Sequence, residues 1–261
     1  MSYEIGLIPI LHALLGSVRV LVMMLSGPVF SHPSLSVRVR MMGAVMVAWA
    51  AGPIGAGAIG DSQWDVFTLA GAVGVEVMMG LAIGVGSSLV FAGILQLGEF
   101  LAVQGGLGAA RSIDPASGAA SVAIGSALNT IAMLIFLLIG GHRELIKGIA
   151  LSFERIPVGS GMPDSEIFIE VVRLASVVWK IAFQLAAPVT VAIFIQNIAT
   201  GVLGRAMPQL NLLIVNLPLH VGMMLLILGL GASDYVHVMK DALEIWPSRV
   251  FGVVLGSVDG G

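Results

Sequence analysis

Six long apolar runs constrain the fold of this chain more than any other feature. Each run holds 18 to 28 consecutive residues without a Lys, Arg, Asp or Glu. A helix needs about 20 predominantly apolar residues to cross the hydrocarbon core of a bilayer, and each run is close to that length. The sequence therefore predicts an all-α integral membrane protein with about six long apolar helical segments. The runs are Val20–Val37, Met41–Gly60, Val77–Gly98, Pro115–Gly141, Ile181–Gly204 and Ala206–Ser233.

Composition excludes several other protein classes. Hydrophobic residues make up 57% of the chain and charged residues only 10%, whereas an ordinary soluble domain carries about 25% charged residues. A soluble chain of this length could not hide six apolar helices inside a polar shell. The net charge of −3 argues against a nucleic-acid partner, and the absence of cysteine excludes disulfides and thiolate metal sites.

Motifs of catalysis and cofactor binding are missing from the sequence. The chain contains no HExxH, no paired histidines at metal-ligand spacing, no phosphate-binding P-loop, no GxSxG, and no GxGxxG that opens a helix after a strand. Its five histidines are scattered along the chain. We therefore expect neither an enzymatic activity nor a metal ion or cofactor.

An irregular segment, Glu99–Pro115, separates the third run from the fourth. Its glycines, Gly105, Gly106 and Gly108, disfavour a regular helix, and Asp114-Pro115 is a good pair to start the next one. Backbone outside a helix is excluded from lipid, so at membrane depth it must be buried in protein or line a water-filled path. Two interpretations follow: a solvent-exposed loop between helices, or a loop that faces a conduit.

Four ionisable residues interrupt the apolar stretches, where charge is expensive. Such residues can form a relay for protons or solutes. Alternatively, they pair with partner subunits or lie near helix ends. The residues are Arg19, Glu76, Glu99 and Lys180.

Spacing within three further segments predicts how helices pack. Small residues four apart, at Gly80, Gly84 and Ser88, predict close contact with another helix.

The polar connection between the fourth and fifth runs is predicted to begin with an amphipathic helix, because Leu145, Ile149, Phe153 and Ile156 recur at helical spacing. The tail is also amphipathic, with its apolar face predicted at an interface or on a partner helix. That face is formed by Tyr235, Met239, Leu243 and Trp246.

Short motifs in the same order along nearly the whole chain resemble the FliR family of flagellar biosynthetic proteins, relatives of the "T" component of injectisomes. The Asp-Pro and Arg-x-x-Pro-Gln signatures together make this resemblance rather specific. The motifs are Arg19 with Pro28, Gly98-Glu99, Gln104 to Gly108, Asp114 to Ser117, Gly140 to His142, Ser152-Phe153, Pro157, Arg205 to Asn211, and Pro218.

The resemblance implies a core subunit of the type III export gate in the bacterial inner membrane, at the flagellar basal body. Such a subunit joins FliP and FliQ in a cone-like helical assembly that contacts lipid, works with FlhB and FlhA, and passes unfolded flagellar proteins outward. The resemblance also implies a FliP-like part over residues 1–160. A FliQ-like helical hairpin and the amphipathic tail would occupy residues 161–261.

By position, the family's gate-plugging loop falls on Gln104 to Pro115. Many members carry Phe where Ala109 and Ser112 stand here, so Leu107 and Ile113 are left to form a smaller apolar constriction. The residues assigned to the pore loop are Gln104, Gly105, Gly106, Leu107, Gly108, Ala109, Arg111, Ser112, Ile113, Asp114 and Pro115. Those assigned to subunit contacts or structural roles are Arg19, Pro28, Glu99, His142, Phe153, Pro157, Arg205, Pro208, Gln209 and Asn211.

Two alternatives remain open from the sequence. An injectisome homologue would share the same physical chemistry and differ only in its cargo. A small multi-helix solute transporter would use discontinuous helices and the intramembrane Glu76, although the two halves of the chain show no corresponding broken helices.

Overall fold

The computed structural model describes residues 7–51, 65–107, 119–159, 165–207, 209 and 212–256. Over these residues the chain forms eight α-helices and no strand, which confirms the predicted all-α class. The helices are α1 (Leu7–Ser26), α2 (Val37–Ala50), α3 (Val66–Gln104), α4 (Ala119–Leu138), α5 (Gly141–Arg155), α6 (Ser165–Ala206), α7 (Leu212–Leu230) and α8 (Ala232–Gly256).

Helices α3 and α6 are the longest elements, with 39 and 42 residues. In the described part of the chain, these two are long and apolar enough to cross a membrane on their own. The pairs α4–α5 and α7–α8 each bend by 65° at a short break, and they raise the number of candidate spans to four if each counts as one. The membrane class is confirmed, with the apolar runs distributed over fewer uninterrupted helices than six.

The predicted helix boundary at Glu99 moves in the structure. Helix α3 runs through Glu99 and ends at Gln104, so the break begins at the glycines rather than at the carboxylate. Helix α6 continues through Pro188 without interruption. Gly140 has a φ of 78°, and this left-handed residue separates α4 from α5.

The small residues of α3 form the contact surface for α1. A Cβ added at Gly80 would lie 2.6 Å from the Arg19 carbonyl oxygen, and one added at Gly84 would lie 3.1 Å from the Met23 carbonyl oxygen. Bulkier side chains at these positions would push the two helices apart. The predicted helix contact is therefore confirmed, and it is made within the chain.

Helices α5 and α8 bury the apolar faces that their periodicity indicates. On α5, Leu145, Ile149, Phe153 and Ile156 at its C-terminal end are all buried, as predicted. The tail is different: its apolar side chains are covered by the chain's own helices, so the predicted placement at an interface or on a partner helix is wrong. Those side chains are Tyr235, Met239, Leu243 and Trp246, each at most 8% exposed.

The chain divides into two compact units, and neither is continuous in sequence. Unit 1 holds residues 1–89, 136–175 and 244–261, and unit 2 holds residues 90–135 and 176–243. The boundaries cut through α3, α4, α6 and α8. The FliP-like part (residues 1–160) and the FliQ-like part (residues 161–261) were defined by likeness to other proteins, not by compactness. The two compact units therefore do not test that division, which stays a prediction.

Candidate functional site

The first candidate site is the turn that ends α3, where the predicted pore loop begins. Gln104 is the last helical residue, Gly105 is buried, and Leu107 is half-buried. Gly106 has a φ of 80°, a left-handed conformation that favours glycine. The other residues assigned to the pore loop lie outside the described residues: Gly108, Ala109, Arg111, Ser112, Ile113, Asp114 and Pro115.

This turn packs against helix α7 within unit 2. A Cβ added at Gly105 would lie 2.6 Å from the Met224 sulphur, and one added at Gly106 would lie 2.9 Å from a Leu217 methyl carbon. Gly106 also faces the ring of His220. The start of the predicted loop is therefore placed by direct packing on another helix.

The second candidate site is a buried ion pair in unit 1. The Arg19 Nε of α1 donates to the Glu76 Oε2 of α3 at 2.7 Å, and the Arg19 Nη2 donates to Oε1 at 3.1 Å. Both side chains are 0% exposed. The two parallel bonds give the fork-to-fork geometry of the strongest arginine–carboxylate contacts.

The remaining donors of Arg19 bind the end of helix α5. Its Nη1 donates to both the carbonyl oxygen and the Oγ of Ser152, each at 3.0 Å, and its Nη2 donates to the Ile156 carbonyl oxygen at 3.1 Å. All five N–H donors of the guanidinium are thus used. The guanidinium carbon lies 4.5 Å from the centre of the Phe153 ring, within cation–π range.

Glu76 also receives the backbone N–H of Gly159 on its Oε1, at 3.3 Å. The ion pair therefore joins α1, α3, the end of α5 and the turn that follows it. Because both side chains are fully buried and every donor of Arg19 and both oxygens of Glu76 are bonded, the pair has the character of a structural clamp rather than a proton relay. We refer to Arg19, Glu76 and Ser152 as the unit 1 clamp.

The two other ionisable residues of the apolar stretches, and Arg205 between the last two runs, are on the surface of the chain. Glu99 on α3, Lys180 on α6 and Arg205 near the end of α6 are all exposed. All three belong to unit 2, whereas the clamp belongs to unit 1. An exposed charge on a long apolar helix can meet water, a lipid headgroup or a partner chain, which keeps a subunit-contact role open for Glu99 and Arg205.

The remaining residues assigned to structural roles have varied surroundings. Pro28 is buried in the turn after α1, and Phe153 lies against the clamp. His142 and Pro157 are half-buried at the two ends of α5, and Gln209 is exposed. Pro208 and Asn211 lie outside the described residues.

Sequence reasoning found Arg19 and Glu76 separately but missed that they bind each other. It also missed a polar contact between α6 and α7, in which His220 Nε2 and Asn197 Oδ1 lie 2.9 Å apart. A partial signal existed for the clamp: two opposite charges in otherwise apolar helices each need a partner. No sequence signal indicated the contact between α6 and α7.

The described residues offer no arrangement for metal binding. Within them, no group of three or more His, Cys, Asp or Glu side chains is close enough to hold a metal ion.

Comparison with known proteins gives one consistent family. The model of "Bacterial export proteins, family 1" matches residues 10–245. The chain is 29% identical over 231 residues to the flagellar biosynthetic protein FliR of Escherichia coli (strain K12), covering 87% of this chain and 88% of that protein.

Two further relatives carry the same name. The chain is 28% identical over 215 residues to the protein of Pectobacterium carotovorum subsp. carotovorum, covering 82% of this chain and 81% of the relative. It is 33% identical over 173 residues to the protein of Bacillus subtilis (strain 168), covering 65% of this chain and 67% of the relative.

Proposed function

The chain belongs to the family of bacterial export proteins, family 1, and on this premise we propose that it is a core subunit of the flagellar type III export gate. The observation that carries the proposal is the likeness to flagellar biosynthetic proteins FliR over as much as 87% of the chain. The long apolar helices and the glycine break after α3 fit this role. We assign the chain no catalytic activity and no cofactor.

The proposed partners follow from the family resemblance and fit the surface of the chain. FliP and FliQ would join this chain in the gate, FlhB and FlhA would associate with it, and unfolded flagellar proteins would be the cargo. Large exposed apolar side chains need to be covered by lipid or by another protein. Their presence supports the proposal that the chain lies in the bacterial inner membrane, within the flagellar basal body. Those on α2 include Met42, Met46 and Trp49, and those on α6 include Phe183, Phe194 and Val202.

The proposed mechanism assigns closure to the loop from Gln104 to Pro115. At rest, the loop closes the channel, and it moves aside when an exported chain arrives. Leu107 and Ile113 supply a small apolar constriction, which resists ions by dewetting but can yield to a threading polypeptide. Ala109 and Ser112 stand in this loop, so the proposed seal depends on Leu107 and Ile113 rather than on aromatic side chains.

Deleting Gly105 to Arg111 tests this closure. We expect the resting ion leak through the assembled gate to rise, because the deletion removes the glycine turn and half of the constriction. Ion flux and flagellar protein secretion would be measured at equal amounts of assembled gate. An unchanged resting leak would show that the loop is not the seal.

Replacing Arg205 with Ala tests the proposed contact with partner subunits. Arg205 is exposed in the last turn of α6, where it can pair with a carboxylate of a neighbouring chain. We expect native gels to show less complex of the variant with FliP and FliQ than of the unaltered chain with the same partners. Replacing Arg173, which is exposed and pairs with Glu170 of the same helix, supplies the control. Intact assembly of the Arg205 variant would remove this assignment.

One observation separates the gate from a small solute transporter. A transporter would expose Glu76 to substrate or protons, yet Glu76 is 0% exposed and bonded on both oxygens. Substrate-dependent uptake by the purified chain alone in liposomes would nevertheless favour the transporter. An injectisome gate would differ from the flagellar gate in cargo alone, and the neighbouring genes would identify it.

A further inference from the structure

Helix α2 carries a stripe of exposed side chains that begins with a cation and continues with apolar residues. Side chains spaced by three and four residues share one face of a helix. The stripe is formed by Arg38, Met42, Val45 and Trp49. Arg38 is exposed, and the three apolar side chains are 66%, 48% and 61% exposed in that order. The described part of the chain therefore leaves this face uncovered.

Helix α2 is attached to the rest of unit 1 by its other face. Ala44 and Ala48 are buried, and a Cβ added at Gly43 would lie 3.6 Å from the Met24 methyl carbon of α1. Small side chains thus hold α2 against α1. Changes on the exposed stripe leave this contact intact.

Positive charge is concentrated in the first turn of α2, which holds Arg38 and Arg40. The sequence has no Asp or Glu between Glu4 and Asp61, and none of the ion pairs among the described residues includes either arginine. The N-terminus of a helix carries partial positive charge of its own, so it adds to the two cations. An anion at this end of the stripe would therefore be stabilised.

The stripe has the same order of charged and apolar parts as a phospholipid. Trp49 is eleven residues after Arg38, a rise of about 16 Å along the helix. That length is close to half of the roughly 30 Å hydrocarbon core. We propose that the stripe binds one anionic phospholipid, with its phosphate at Arg38 and an acyl chain along Met42, Val45 and Trp49. This inference rests on the membrane class of the chain and not on the export gate.

A partner helix is the other occupant that such a face could take. Helices in membranes approach each other closely through small residues, as α2 does on its buried side with Ala44 and Ala48. The exposed stripe presents Met42, Val45 and Trp49 instead. A flexible acyl chain can follow the gaps between such bulky side chains, so the stripe fits a lipid better than a helix.

Quenching of Trp49 fluorescence by lipids with brominated acyl chains tests the site in the detergent-purified chain. The difference between the unaltered chain and Trp49→Phe isolates the signal of Trp49. We expect brominated phosphatidylglycerol to quench this signal at a several-fold lower concentration than brominated phosphatidylcholine, because only the first has a net negative headgroup. Arg38→Gln should remove the difference between the two lipids. Lys180→Gln is the matched control, since Lys180 is an exposed cation on another apolar helix; it should leave the difference unchanged.

Three results would overturn the proposal. Equal quenching by the two lipids would leave the face to a partner helix. A lipid preference that survives Arg38→Gln would place the headgroup elsewhere. Displacement of phosphatidylglycerol by millimolar inorganic phosphate would mean that the site recognises an anion and not a lipid. Should Arg38→Gln fold poorly, the unaltered chain supplies the same test, since high salt screens exposed charges and must shrink the preference for phosphatidylglycerol; an unchanged preference would contradict the role of Arg38.

Discussion

Replacing Arg19 with Met is expected to lower the free energy of unfolding by about 3–5 kcal/mol, since it leaves the buried Glu76 without its countercharge. Such a loss is a large fraction of the roughly 5–15 kcal/mol that stabilises a typical protein. The end of α5 also loses its bonds from the guanidinium to Ser152 and Ile156. Thermal or denaturant unfolding of the detergent-purified chain would measure the effect.

Two controls show whether the loss comes from the buried clamp. Arg173 pairs with Glu170 on the exposed surface of α6, so Arg173→Met should cost only about 0–1 kcal/mol. The double variant Arg19→Met with Glu76→Met removes both charges and is expected to recover most of the stability. If Arg19→Met cost no more than Arg173→Met, the clamp would not be a main source of stability.

Replacing Gly98 with Val is expected to destabilise unit 2 by about 3 kcal/mol, the upper part of the usual overpacking range. At this position α3 meets the backbone of α4: a Cβ on Gly98 would lie 2.7 Å from the backbone nitrogen of Gly125. Backbone atoms cannot rotate away as a side chain can. The two helices would therefore have to separate, and unfolding of the purified chain would report the cost.

Gly74 supplies a matched control on the same helix. A Cβ at Gly74 meets nothing within 4 Å, so Gly74→Val should change the free energy of unfolding by no more than about 0.5 kcal/mol. A similar effect at both positions would mean that the α3–α4 contact is not close, contrary to the structure.

Periodicity and run length predicted much of the helical architecture. The apolar spacing of α5 identified Leu145, Ile149 and Phe153 as its buried face, and the small residues Gly80 and Gly84 predicted a close helix contact. These features are local, so one segment of sequence is enough to indicate them. The pattern could not say which helix would supply the contact.

The parts that could not be predicted depend on tertiary contacts. Arg19 and Glu76 were each recognised as costly, but 57 residues separate them and no local rule pairs them. The tail shows the same limit, because amphipathicity identifies the apolar face of Tyr235 and Trp246 but not what covers it. The helix also continues past Glu99, since an exposed carboxylate has no reason to end it.

The candidate pore site divides in the same way. The glycines at positions 105 and 106 predicted a break, and the structure places the end of α3 there. The packing of this turn against Met224 and Leu217 could not be predicted, because those residues are distant from it in sequence.

Cross-linking to a stalled cargo tests most directly whether this chain walls an export channel that its loop obstructs. The chain has no cysteine, so a single cysteine at Arg111 is a clean probe of the predicted loop. A matched cysteine at Phe67, which is exposed in the first turn of α3, supplies the control. The stalled cargo carries one engineered cysteine, and an added oxidant takes up the two electrons released when two thiols join. We predict a disulfide between the cargo and the cysteine at position 111, with none at position 67. Cargo that passes through the gate without linking to position 111, or that links equally to both positions, would contradict the account.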